Sequence, residues 1–119
     1  MTDTIFGKIT RGEIPTDFLY EDELCVVIKD LYPQAPTHVL IIPRKPIPML
    51  SEAADDDQAL LGHLLIVAGK VADQLGLGDA FRLVINNGEG GGQTVFHLHL
   101  HILASGDMKE GDLAAGLSR

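Results

Sequence analysis

Phe96-His97-Leu98-His99-Leu100-His101-Ile102-Leu103 sets three histidines in alternation with apolar residues near the end of a 119-residue chain. Side chains of an extended segment alternate between its two faces. The spacing therefore predicts a strand with His97, His99 and His101 on one side and Phe96, Leu98, Leu100 and Ile102 on the other. With five histidines in 119 residues, a chance His-x-His-x-His has a probability of about 1% when every window is counted. A polar strand face that merely happens to be histidine is the plainer alternative. The pattern favours a working site.

The length fits one domain, spanning 1–119, that buries about two thirds of its surface. A hydrophobic fraction of 45% and a charged fraction of 22% are those of an ordinary globular protein. The net charge of −8 argues against nucleic-acid binding, which relies on basic surface to displace counterions. It leaves room for a small phosphate ligand, because a few backbone N–H groups can dominate the local field. Cys25 is the only cysteine, so no internal disulfide and no thiolate zinc cluster is expected. Between Leu24 and Val26 it reads as a small buried residue rather than a nucleophile. Met1-Thr2-Asp3-Thr4 lacks the basic and apolar parts of a secretion signal, and no apolar run approaches a membrane span. The expectation is a cytoplasmic protein with no membrane contact.

Along the chain, Thr4 is placed to cap a short helix carrying Ile5, Phe6 and Ile9, stopped by Gly12 and Pro15. Phe18-Leu19-Tyr20 and Cys25-Val26-Val27-Ile28 read as strands joined by the acidic turn Glu21-Asp22-Glu23. After the stiff Pro33-Gln34-Ala35-Pro36 comes the strand Val39-Leu40-Ile41-Ile42, ended by Pro43, Pro46 and Pro48. Asp55 with Gln58 resembles a capping box for a long helix. Its apolar stripe is Leu60, Leu61, Leu64, Leu65, Ala68, Val71, Ala72 and Leu75, with Gly76 as the stop. His63 lies off the stripe and is read as solvent-facing. Phe81-Arg82-Leu83-Val84-Ile85 is a further strand, and Asn86 through Gly92 turn the chain toward the histidines. Short connections with one long helix inserted indicate an α+β domain with an antiparallel sheet. The tail at 105–119 is polar and glycine-rich apart from Leu113 and Leu117, and is read as loosely held.

Two uses compete for the histidine row. Alternate strand residues stand about 6.6 Å apart and the outer pair about 13 Å apart. Zinc ligand nitrogens sit about 2.0–2.1 Å from the ion, so one ion cannot easily gather all three, although two of them with His38 could. No metal and no cofactor is expected. Chemistry at phosphorus is favoured by Gly88-Glu89-Gly90-Gly91-Gly92-Gln93-Thr94 directly upstream, where glycines let backbone N–H groups approach an anion. This loop is neither a Walker loop nor a dinucleotide fingerprint, and alone it reads as a flexible turn. A histidine nucleophile needs a neutral ring with one nitrogen bare and the other held as a donor. The middle histidine, His99, flanked on both sides, is the natural candidate. Its attack would give a phosphohistidine that water cleaves, with a neighbouring histidine protonating the leaving group.

The sequence resembles the histidine-triad (HIT) family, whose signature His-φ-His-φ-His-φ-φ is matched from His97 to Leu103. It is similar in particular to the Hint branch of purine nucleoside phosphoramidases. Thr4-Ile5-Phe6-Gly7-Lys8-Ile9, Glu13-Ile14-Pro15, Pro33-Gln34-Ala35-Pro36-Thr37-His38, Leu61-Gly62-His63-Leu64 and Gly91-Gly92-Gln93-Thr94-Val95 carry that likeness, which runs from about Asp3 to Leu103. The resemblance implies that His99 attacks the α-phosphorus of a purine nucleotide. His101 contacts phosphate and assists the leaving group, while His97 and His38 support the site. It further implies that Asn86, Gly92, Gln93 and Thr94 hold phosphate, that Asp30 accepts from both ribose hydroxyls, and that Ile5, Phe6, Ile9, Ile28 and Leu31 form the purine pocket. The implied fold is a five-stranded antiparallel sheet with one short and one long helix, two copies joining into a ten-stranded sheet. Thr94 stands where many Hint proteins have serine, Pro46 where animal relatives have histidine, and the segment after Leu103 departs from their tryptophan-containing tail.

The expected activity is hydrolysis of purine nucleoside 5′-phosphoramidates, of the AMP-lysine or aminoacyl-AMP type. Hydrolysis of dinucleoside polyphosphates, as in the Fhit branch, is the rival within enzymes. A nucleotide-binding or scaffold protein with incidental catalysis is the rival outside them.

Overall fold

The computed structural model describes residues 3–111. Thr4 Oγ1 accepts from the Gly7 N–H at 3.1 Å and so caps α1 (Ile5–Thr10). Gly12, at φ +76°, then turns the chain away in a conformation that suits glycine. Next come β1 (Tyr20–Glu21), β2 (Cys25–Lys29), β3 (Thr37–Pro43), α2 (Gln58–Gln74), β4 (Arg82–Val84) and β5 (Leu100–Ala104). The strands form one sheet in the order β1-β2-β3-β5-β4, antiparallel throughout. The five-stranded antiparallel sheet with one short and one long helix is the architecture expected from the sequence.

Strand alternation divides the buried residues into two clusters. Cys25, Val27, Val39, Ile41, Leu98, Leu100 and Ile102 pack with Leu64, Val67, Ala68 and Val71 of α2. Val26, Ile28, Leu40 and Ile42 face the other way and meet Phe6 and Ile9 of α1. One face is thus covered by a helix of 17 residues and the other by a helix of six. His38 pairs with Leu103 and His101 with Leu40, which puts both imidazoles on the thinly covered α1 face.

Several local expectations are corrected. The histidine strand is shorter than read, since β5 begins only at Leu100 and His97 and His99 precede it. Pro43 has no N–H with which to extend the ladder, so the chain peels away and Leu98 N–H bonds to Ile47 O at 2.7 Å. Alternation persists from Leu98 to Ile102, but Phe96 is 40% exposed and leaves the core face. In α2, Leu65 and Leu75 are exposed while Val67 is fully buried, because the sheet contacts a narrower strip than the whole apolar stripe. The helix entry is a 3-10 turn at Asp55–Asp57, and Asp57 rather than Asp55 closes it, its Oδ2 accepting from Ala54 N–H at 2.9 Å. The strand predicted at 81–85 is regular only over β4. Leu113 and Leu117 lie outside the described residues.

His63 is half-buried, not solvent-facing. Its Nε2 donates to Asp22 Oδ2 at 2.6 Å. Asp22 also accepts from Tyr20 OH (2.9 Å), Leu24 N–H (2.8 Å) and Cys25 N–H (2.9 Å), tying the β1–β2 turn to α2. Burial by itself would raise the Asp22 pKa, but the hydrogen bonds from Leu24, His63, Tyr20 and Cys25 outweigh it and hold the carboxyl well below the usual range. The stability this carboxylate supplies is fully present above the ordinary aspartate pKa of about 3.9 and fades as the pH falls toward the depressed folded value. Asp22→Ala should cost about 2–3 kcal/mol at neutral pH, with the difference from wild type shrinking in acid. Urea melts at pH 7 and pH 3 check both.

Candidate active site

The adjacent strands β3 and β5, with the segments after β2 and before β5, bring His38, His97, His99, His101 and Asp30 together on the α1 face, and all five are buried. Each ring's hydrogen bonds decide which of its nitrogens carries a proton. His97 Nε2 lies 2.7 Å from Pro43 O. A carbonyl only accepts, so the proton of His97 is on Nε2. Burial is the main cause pushing the His97 pKa down, against the Pro43 carbonyl, which raises it. This ring is a neutral brace holding the segment before β5 against the end of β3. Gly7 of α1 lies against this ring: a Cβ there would stand 3.8 Å from His97 Nδ1, an ordinary contact, and 2.7 Å from the exposed Asp3 Oδ1.

His99 Nδ1 lies 2.7 Å from the carbonyl of His97. Nδ1 must therefore be the donor, and in the neutral ring Nε2 carries the lone pair. The ring sits edge-on to Phe6 at 4.8 Å between centroids and 5.0 Å from His101. It is 2% exposed.

Gln34 N–H donates to His38 Nδ1 at 2.9 Å, which makes Nδ1 an acceptor and puts the proton of His38 on Nε2. That proton faces His101 Nδ1 at 2.9 Å and Asp30 Oδ2 at 3.3 Å. His101 Nδ1 therefore accepts, and His101 carries its own proton on Nε2. The Asp30–His38 contact is the approach of a carboxylate to a neutral ring rather than an ion pair, because a second proton on His38 would collide with the Gln34 N–H. Asp30, His38 and His101 offer ligand atoms within 4.8 Å of one another. Those atoms are already joined by the shared His38 proton, which a cation would have to displace.

Asn86, Gly92, Gln93 and Thr94 belong to the turn between β4 and the histidine segment. Gly88 (φ +74°) and Gly92 (φ +93°) adopt left-handed backbone there. Gln93 is 2% exposed and holds the loop shut. Its Oε1 accepts from Gly88 N–H at 2.8 Å, and its Nε2 donates to Pro48 O at 2.8 Å and Val95 O at 3.0 Å. That side chain is occupied with the loop itself, and so is the Gln93 N–H, which donates to Gly88 O at 3.0 Å. Asn86 is half-buried and Thr94 exposed.

A cavity of about 560 Å³ opens beside α1. Ile5, Ile9, Ile28 and Leu31 line it, Leu31 at its rim with 81% exposure. Phe6 stands between this region and His99. The sequence reading missed Ile14, Pro15, Thr16, Asp17, Leu19 and Lys29, which also line the cavity; the 14–17 segment has no periodicity that would have marked it. Cys25 is fully buried, and burial, with Asp22 beside it, pushes its thiol up to about 12, which leaves it inert at neutral pH.

A buried bank of histidines with fixed tautomers beside a glycine-rich turn defines a histidine-triad protein. Comparison with known proteins agrees: the HIT domain matches residues 11–108, and the chain belongs to the HIT-domain family. It is 66% identical over 101 residues to an uncharacterized HIT-like protein of Synechocystis, covering 85% of this chain and 89% of the relative. It is 45% identical over 102 residues to the purine nucleoside phosphoramidase of Escherichia coli, covering 85% and 86%. Among solved structures, a HIT family hydrolase from Clostridium thermocellum superposes with a TM-score of 0.89 at 41% identity, covering 95% of this chain and 99% of that one. Nitrogen-15 NMR of the imidazoles is expected to find His38, His97 and His101 as Nε2–H tautomers and His99 alone as Nδ1–H. A His99 proton on Nε2 would overturn the assignment of its lone pair.

Proposed function

We propose that this HIT-family hydrolase cleaves purine nucleoside 5′-phosphoramidates, of the AMP-lysine or aminoacyl-AMP type, through a nucleotidyl intermediate on His99. The observation that carries the reading is the 2.7 Å hydrogen bond from His99 Nδ1 to the His97 carbonyl, which commits Nε2 to nucleophilic use. The likeness to the E. coli purine nucleoside phosphoramidase supports the substrate class. In this reading the purine lies against Ile5, Phe6, Ile9, Ile28 and Leu31, and the ribose hydroxyls donate to Asp30. Phosphate lies against the turn carrying Asn86, Gly92, Gln93 and Thr94.

Attack by Nε2 forms a bond to phosphorus as the substrate P–N bond breaks. The amine departs with the electron pair of that bond and takes one proton, from His101 Nε2–H. The charge left on His101 is met at Nδ1 by the His38 N–H. Water then attacks phosphorus, His99 leaves with its lone pair restored, and the proton released by water returns to His101. Protons and electrons balance over the two steps: His99 is cationic and His101 anionic in the intermediate, and both rings return to neutral when water has reacted. The site also fits a chain that pairs with a second copy: β4 is an edge strand of the sheet, and joining two such edges would give ten strands. A sedimentation mass of one chain at micromolar concentration would overturn the dimer.

His99→Gly should lower the rate on an adenosine phosphoramidate by roughly 10⁴-fold or more while nucleotide binding persists; turnover at the wild-type rate in that variant overturns the reading. Wild-type kcat/KM on the phosphoramidate should exceed that on a diadenosine polyphosphate. The reverse order would favour the Fhit-type reaction. Binding of both with turnover of neither would favour a scaffold.

A further inference from the structure

The carboxylate of Asp30 touches the acid side of the site. Its Oδ1 accepts from Tyr32 N–H at 2.8 Å, and its Oδ2 stands 3.3 Å from the Nε2–H that His38 also offers to His101 at 2.9 Å. The side chains of Asp30 and His38 are both fully buried. The His38 proton is hydrogen-bonded to the imidazole of His101, with the Asp30 carboxylate oxygen standing beside that bond. The Gln34 N–H on the far side of His38 prevents that ring from supplying a second.

We propose that Asp30 is a positioning residue that makes the proton-donating strength of His101 depend on whether the ribose diol is in place. The inference rests on the proposed reading of the site, in which the ribose hydroxyls donate to Asp30. The physical argument is a competition. With Oδ2 standing 3.3 Å from His38 Nε2, the carboxylate's charge pulls on the proton of the His38–His101 bond and opposes the negative charge that develops on His101 as the amine leaves. Two hydroxyls donating to the same carboxylate occupy its lone pairs and spread its charge. The His38 proton then aligns with His101 Nδ1, and a ring more fully hydrogen-bonded at Nδ1 gives up its Nε2 proton more readily. Binding free energy at the sugar, remote from the reacting bond, is in this way expressed at the transition state. The preferred substrate class is a conjugate with an intact 2′,3′-diol.

The test compares an adenosine 5′-phosphoramidate with its 2′,3′-dideoxy analogue, on wild type and on Asp30→Asn, in single-turnover experiments that report the chemical step. In wild type, loss of the diol should lower the saturating rate by about tenfold, part of the roughly 10²–10⁴-fold that a positioned general acid contributes, in addition to raising KM. In Asp30→Asn, which lacks the charge, the two substrates should react at equal saturating rates while both bind more weakly. A diol that changes only KM in wild type overturns the coupling and leaves the phosphoramidase reading standing. So does a diol effect on rate that survives in Asp30→Asn. Wild type that turns over neither substrate overturns the phosphoramidase reading itself. If Asp30→Asn does not fold, nitrogen-15 NMR of wild type decides: AMP should move the His101 Nδ1 resonance and 2′,3′-dideoxy-AMP should not, and equal shifts overturn the proposal.

Discussion

The carbonyl of His97 is the fixed point of this molecule's chemistry. A bare imidazole can carry its proton on either nitrogen, and a nucleophile that does so is wasted half the time. The 2.7 Å bond from His99 Nδ1 to a backbone oxygen removes the ambiguity. That oxygen is held in turn by the ring of the same residue, whose Nε2 donates to Pro43 O. The outer histidine of the row therefore serves through its backbone carbonyl and its anchoring side chain. Neither feature asks it to touch a ligand.

A second chain of contacts gives the third histidine the opposite role. Gln34 N–H, His38, His101 and Asp30 form one run in which each proton has only one consistent place. The two chains are independent, one anchored at the end of β3 and the other in the Pro33–Pro36 loop. A single strand face thus presents a lone pair at His99 and an N–H at His101, two residues apart. Displacement at phosphorus requires both, since one bond forms as another needs a proton.

The sequence pattern made the scaffold legible wherever a residue's role follows from its chemical type and spacing. Thr4 as a cap, Gly76 as a stop at φ +76° and the alternation of Leu98, Leu100 and Ile102 against the histidines were all readable. What escaped were partnerships between distant residues. His63 looked exposed because helical periodicity counts apolar neighbours, whereas its partner, Asp22, lies on a turn 41 positions away. The late start of β5 follows from Pro43 on the facing strand, a constraint visible only once the pairing is known. In the site, three rings on one face could be read from period two. The tautomer of each could not, because it is set by Pro43 O, His97 O and Gln34 N–H, groups every residue possesses and no residue type advertises.

Charge gives the remaining constraint. A chain with a net charge of −8 repels a nucleotide at a distance, so its site cannot depend on long-range attraction. Nor does His97 supply a cation, for burial pushes its pKa down. The alternative is attraction that acts only at contact, through N–H dipoles held in place before the ligand arrives. A buried imidazole with little water around it has little hydration to lose when phosphorus approaches, and surrounding dipoles act strongly where water is excluded. Burial of His99 at 2% exposure is then consistent with its being a nucleophile. A ring already stripped of water and braced against Phe6 and His97 has little left to reorganise when a ligand meets it.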